Sequence, residues 1–248
     1  MTQAGYNGRA VARIRLLFSQ EQDRVIKSLT GVTELQPANL VADPKIEAII
    51  QSYSPEIDEA RNEIIGKNAY NIQHDRYQVS SLGSFISDVF REVTGSDIAF
   101  VNGGGIRTDL ASGNITLEKL WAVLPFDNTL VIQNMTGKEI IQVLEYGIKN
   151  RTFGSIQFSG LKVWYDAARP AGERVTRVTL ADNTPLEADK SYQVVVNSFL
   201  AGGGDGYTMF KDTGRQVNTR MQMRDVLIDY IKTVGTIEFK GDTRFTEK

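Results

Sequence analysis

The run Asn197–Tyr207 reads Asn-Ser-Phe-Leu-Ala-Gly-Gly-Gly-Asp-Gly-Tyr, with glycine at 202, 203, 204 and 206. Neither helix nor strand tolerates glycine at that density, because each one gives up more backbone freedom than any other residue when it is ordered. The run is therefore a loop. It follows a strand signal at Tyr192–Val196, so it sits at a strand end. Glycine there supplies left-handed backbone and close approach of the main chain to something else. The loop also carries one carboxylate, Asp205, and one aromatic ring, Phe199. A pliable backbone with one acceptor and one flat apolar face suits a polyol bearing a ring, such as a nucleoside. A tight surface loop closed by an Asx-type turn accounts for the same residues.

A second run has the same character. Asp97–Val101 reads as a short buried strand and leads directly into Asn102-Gly103-Gly104-Gly105-Ile106-Arg107. Three adjacent glycines free backbone amides to face a ligand. Arg107 adds a planar cationic fork suited to phosphate or paired hydroxyls, and Asn102 offers both a donor and an acceptor. Alternatively, the glycines serve close packing and Arg107 is solvated. The run is not a dinucleotide-binding fingerprint, which needs spaced glycines opening a helix. A third segment, Pro125-Phe126-Asp127-Asn128, places an aromatic in a turn, as a stacking platform or as buried filler.

Along the chain, Ala10–Phe18 alternates as a strand with no partner close by, and a second short strand is expected near Arg24–Leu29. Asp43-Pro44 starts a helix that restarts or kinks at Ser54-Pro55 and runs to Gly66. Lys67–Gln73 reads as a strand. Ser80 or Ser81 caps a helix with the apolar stripe Leu82, Phe85, Ile86, Val89, Phe90 and Val93, ended by Gly95. Thr116–Val123 is a short helix and Thr129–Gln133 a strand. Thr136 and Glu139 form a capping box for a helix to about Ile148. Gln157–Tyr165, Arg174–Leu180 and Ser191–Asn197 read as strands. The stripe Met223, Leu227, Tyr230, Ile231, Val234 gives a last helix, and Ile237–Phe239 a last strand. The mixture defines an α+β (mixed α/β) fold. Residues 1–42 read as the end of a preceding domain, 43–65 as a connector helix, and 66–248 as the main domain.

Composition narrows the chemistry. The net charge of −2 and the lack of basic runs argue against nucleic acid as a partner. No apolar stretch approaches the roughly 20 residues of a membrane span. There is no cysteine, which excludes disulfides and thiolate chemistry, and the single histidine, His74, excludes a multi-histidine metal centre within this sequence. His74 is expected at a strand end near the site or at the surface.

Taken together and in order, the turn with Phe126 and Asn128, the Asn102–Arg107 run and the Asn197–Tyr207 run resemble the C-terminal domain of the bacterial and animal 5′-nucleotidases. The resemblance extends from about Gly66 to the C-terminus. It implies that Phe126 and Phe199 sandwich a nucleobase and that Asp205 holds ribose. It also places Arg76, Asn102, Gly104, Gly105 and Arg107 around the ligand and Asn128 at the base edge. Two departures stand out: Ile72 where bacterial relatives often carry a second arginine, and Asp127 where many carry glycine, adding negative charge near the base. In that family a metallophosphatase domain with two divalent metal ions comes first, joined by a long helix. The resemblance therefore implies that this chain binds nucleotide or nucleoside substrate, holds no metal or other cofactor itself, and is inactive alone. A domain partner in the same protein, outside the cytoplasm (periplasmic, secreted or cell-surface), would carry the hydrolase chemistry. Alternatives are the same role in a 2′,3′-cyclic-nucleotide phosphodiesterase or a nucleotide-diphosphate or nucleotide-sugar hydrolase, or a stand-alone nucleoside-binding module.

Overall fold

The computed structural model describes residues 4, 9–36, 40–148, 150, 152–211 and 215–248. The chain forms two compact units, 1–57 and 58–248. In the first, β1 (Ala10–Ser19) and β2 (Arg24–Glu34) make an antiparallel hairpin, paired from Ala10↔Glu34 to Ser19↔Arg24. The opening strand thus has a partner after all, and β2 runs five residues past the expected Leu29. Polar Lys27, Ser28 and Thr30 hide its alternation in the sequence. Apolar side chains such as Leu16, Leu17, Ile26 and Leu29 are exposed on both faces of the hairpin.

Helix α1 (Pro44–Asn62) begins where Asp43 Oδ1 accepts the Lys45 N–H at 2.8 Å. It contains the 57/58 boundary between the units. The helix passes through Pro55 as one element instead of restarting there. Proline removes a backbone donor. In the preceding turn, the Ser52 and Ser54 hydroxyls donate to the carbonyls of Ile49 and Ile50 at 2.8 and 3.0 Å.

The second unit continues with β3 (Ile64–Asn68), α2 (Ser81–Thr94), β4 (Ile98–Asn102), β5 (Gly113–Thr116), α3 (Leu117–Val123) and β6 (Thr129–Thr136). Then come α4 (Gly137–Gly147), β7 (Ile156–Ser159), β8 (Leu161–Tyr165), β9 (Val175–Leu180), β10 (Ser191–Asn197) and α5 (Ser198–Ala201). The last elements are β11 (Gln216–Gln222), α6 (Met223–Val234), β12 (Thr236–Ile237) and β13 (Phe245–Glu247). Local signals set several ends. Ser80 Oγ accepts the Gly83 N–H to start α2, Gly95 closes it at φ 64°, and Thr136 with Glu139 forms a reciprocal capping box on α4.

A five-stranded sheet ordered β11-β6-β10-β4-β7 lies at the centre. Its β4 is buried at every position, as a continuous apolar run predicts for a central strand. Alternate residues of β4 and β10 point to opposite faces. Ile98, Phe100, Val194 and Val196 join one core with α4 and α5, whereas Ala99, Val101 and Val195 join another with α2, α3 and α6. Two three-stranded sheets, β12-β3-β5 and β13-β8-β9, flank it.

Three expectations are corrected. The strand expected at Lys67–Gln73 lies at Ile64–Asn68. The final strand is reduced to Thr236–Ile237, followed by β13. The single strand expected over Gln157–Tyr165 is two strands in different sheets. The break is Gly160, whose φ of 86° suits glycine alone; a Cβ there would lie 2.2 Å from the Asp97 carbonyl oxygen. The apolar alternation changes phase at the break, from Ile156 and Phe158 to Leu161, Val163 and Tyr165, a mark that the reading of one continuous strand passed over.

Candidate functional site

Topology brings distant loops to one edge. Strands β4 and β10 are parallel neighbours, paired Val196↔Phe100, so the two glycine-rich runs leave the sheet side by side. Strand β6 is antiparallel to β10 with Leu130 opposite Asn197, so the Phe126 turn reaches the same edge. Strand β7 is antiparallel to β4 with Ile156 opposite Asn102. The residue before it, Ser155, donates its N–H to the Arg76 carbonyl at 2.8 Å and accepts the Gly103 N–H at 3.0 Å. That pair of bonds brings the Arg76 loop to the edge too.

These four segments enclose a cavity of about 270 Å³ lined by Arg76, Asn102, Gly104, Gly105, Phe126, Asn128, Phe199 and Asp205. The volume lies just below the roughly 300–1,000 Å³ of ordinary small-molecule pockets. A broader cleft of about 780 Å³ lies between Tyr77, Ser81, Tyr165 and Glu247, with no Lys or Arg in its lining among the described residues.

A polar relay forms part of the wall. Buried Asn197 caps α5 by accepting the Leu200 N–H at 2.8 Å. Its Nδ2 donates to Asn102 Oδ1 at 2.9 Å, and Asn102 Nδ2 donates to Asp205 Oδ2 at 2.9 Å. Asp205 itself is left-handed at φ 52°, and the Tyr146 hydroxyl donates to its carbonyl at 3.1 Å. A non-glycine in that region is uncommon and needs surrounding contacts to hold it.

The two phenylalanines are half-exposed, 49% for Phe126 and 43% for Phe199, although apolar rings normally seek cover. The Phe199 ring packs on Gly204, where a Cβ would come within 2.5 Å of it. The Arg76 guanidinium lies beside Gly104, 3.6 Å from where a Cβ would be, and its Nε donates to the Phe153 carbonyl at 3.2 Å. Asn128 Oδ1 accepts the Ser198 hydroxyl at 3.2 Å.

Arg107 stands apart from the other eight. It does not line the cavity, and its Nη1 donates to the Gly104 carbonyl at 3.2 Å, bracing the loop. Asp127 does not leave free negative charge near the cavity. Its Oδ1 pairs with Arg224 Nη2 at 2.7 Å, a partner the sequence did not reveal because it lies far along the chain on α6. His74 does not line the cavity, and its backbone N–H donates to Asp109 Oδ1 at 2.6 Å. Burial holds its imidazole pKa below the ordinary value, against the pull of Asp109 and Asp75. Among the described residues, no three His, Asp or Glu side chains gather as metal ligands, and no helix is long and apolar enough to cross a membrane.

Residues 58–212 match the family model for the 5′-nucleotidase C-terminal domain, and the chain belongs to that family. It is 31% identical over 265 residues to a snake venom 5′-nucleotidase of Gloydius brevicauda, covering 96% of this chain and 45% of that protein. It is 27% identical over 269 residues to an apyrase of Tabanus yao, covering 98% and 48%. Among solved structures, the 5′-nucleotidase precursor of Thermus thermophilus superposes with a TM-score of 0.75 at 30% identity, covering 97% of this chain and 50% of that one. The chain thus spans about half the length of these relatives.

Proposed function

We propose that this chain is the nucleoside-recognition part of a 5′-nucleotidase-type phosphohydrolase. The observation that carries the reading is the pair of half-exposed phenylalanines, Phe126 and Phe199, on one small cavity that also holds the Asn102–Asp205 pair and Arg76. In this reading the base stacks between the rings, an arrangement that stabilises by about 1–3 kcal/mol per base and tolerates any base. Asp205 accepts hydrogen bonds from the ribose hydroxyls while Asn102 holds the carboxylate in place. Arg76 faces the phosphate side with a charge-assisted hydrogen bond.

Hydrolysis would occur in the part of the relatives that lies outside the matched span. There, two divalent metal ions would activate water and stabilise developing charge. This chain's own work is to fix the nucleoside so that the phosphate is presented in line. Alone, it binds without turning over. The exposed apolar faces of the β1–β2 hairpin fit strands belonging to a larger sheet. The relative from snake venom supports a place outside the cytoplasm.

The test is a calorimetric titration of the chain with adenosine and AMP, with and without Mn²⁺, beside Phe199→Ala and Asp205→Ala. Binding by the wild type, a loss of about 1–3 kcal/mol in each variant, indifference to the metal and no hydrolysis of AMP are expected. Variants that bind adenosine as well as the wild type would sink the assignment.

A further inference from the structure

The turn bearing Phe126 is gripped from behind by the first residues of α6. Arg224 is 3% exposed. Its Nη1 donates to the Leu124 carbonyl at 2.9 Å and its Nη2 to Asp127 Oδ1 at 2.7 Å. One planar fork therefore holds the residues on both sides of Phe126. Its flat face lies over the Trp121 ring, with Cζ 3.3 Å from the centroid, and Nε has no partner among the described residues. The neighbouring Met223 N–H donates to the Asn128 carbonyl at 2.9 Å. The turn is tied onward to the other ring: Ser198, just before Phe199, donates its hydroxyl to Asn128 Oδ1 and accepts the Thr129 N–H at 3.1 Å.

We propose that Arg224 is a positioning residue for nucleoside binding, setting where Phe126 stands relative to Phe199. The inference rests on the reading of the cavity as a nucleoside site. An apolar side chain of similar volume would fill the place without the cost of burying a charge. What the guanidinium adds is direction, two donors fixed in one plane, which a lysine cannot reproduce. The Trp121 face fixes the plane of the fork. Asp127 belongs to the same device: its carboxylate is the anchor for the turn and not a ligand for the base.

The experiment measures adenosine affinity of the full chain by calorimetry for Arg224→Lys, Phe126→Ala and the double variant. Arg224→Lys should weaken adenosine about tenfold, the scale of one charge-assisted hydrogen bond. With Phe126 already replaced by alanine, the same change should alter affinity less than twofold, because Arg224 acts through that ring. Equal losses in both backgrounds, or no loss in the first, overturn the proposal. Should Arg224→Lys fail to fold, Asp127→Asn loosens the same grip at an exposed position. It should weaken adenosine about threefold, again only while Phe126 is present. If the wild type does not bind adenosine, or Phe126→Ala binds it equally well, the reading of the cavity fails and this inference falls with it. If Phe126→Ala weakens binding and Arg224→Lys does not, only the inference falls.

Discussion

Gly204 separates binding from folding in a way one substitution can expose. A Cβ at this position would come 2.5–2.6 Å from Cε1, Cδ1 and Cζ of Phe199, whereas ordinary contact begins at 3.4 Å. Alanine at 204 must therefore displace the ring by roughly 1 Å, since the backbone there needs no left-handed geometry that alanine would resist. The ring is 43% exposed and can swing toward solvent, so folding should lose little, within about 1 kcal/mol. Stacking has no such latitude. If a base–aromatic contact contributes about 1–3 kcal/mol, displacing one of two faces by an ångström should cost on the order of 1 kcal/mol, or five- to tenfold in affinity. Calorimetric titration with adenosine reads the affinity, and thermal melting followed by circular dichroism reads the fold. A Gly204→Ala chain that melts many degrees lower would show that the ring cannot yield. One that melts normally and binds adenosine as tightly as the wild type would refute a stacking role for Phe199.

Two further predictions concern stability. Gly160→Ala should destabilise the chain by on the order of 3 kcal/mol, through backbone strain and the clash with the Asp97 carbonyl, seen as a lower urea midpoint. An unchanged midpoint would show that the strand switch tolerates a side chain. His74 has its pKa lowered by burial, so the folded state favours the neutral ring. Its stabilising contribution is complete above the ordinary 6.5 and is lost as pH falls from there through the lower folded value. His74→Gln should accordingly lose less stability than the wild type between pH 7.5 and pH 5. As the only histidine in the chain, its imidazole proton resonance should titrate below 6.5 without ambiguity. Titration above 6.5 would reverse the sign and the argument.

The parts legible in the sequence are those governed by neighbours along the chain. The Ser80 cap, the Thr136–Glu139 box, buried β4, and β10 with its glycine-rich exit all announce themselves within a few residues. Gly104, Gly105, Phe126 and Phe199 are legible for a related reason, since glycines and aromatics at strand ends have no easy place in a regular element, whereas Arg76 and Asn128 are read only from the family resemblance. Strands β5 and β11 are not legible. They are short or polar and take their pairing from β3 and β6. The partner of Asp127 is equally invisible, because Arg224, 97 residues away, becomes its partner only through tertiary placement. A lone arginine beside the apolar stripe of α6 carries no mark of its use.

The three-residue relay from Asn197 through Asn102 to Asp205 has a fixed polarity. An amide side chain can be turned end for end, exchanging donor and acceptor, and in isolation neither sense is preferred. Here the Leu200 N–H claims the oxygen of Asn197, which commits its nitrogen to Asn102, which in turn commits the nitrogen of Asn102 to the carboxylate. No member can reverse unless all do, and the last, a carboxylate that only accepts, forbids reversal outright. The Asn102 amide is thus held in one orientation from both sides, by Asp205 and by a helix-capping asparagine 95 residues away. The helix cap at one end and the carboxylate at the other fix the same sense for this part of the wall.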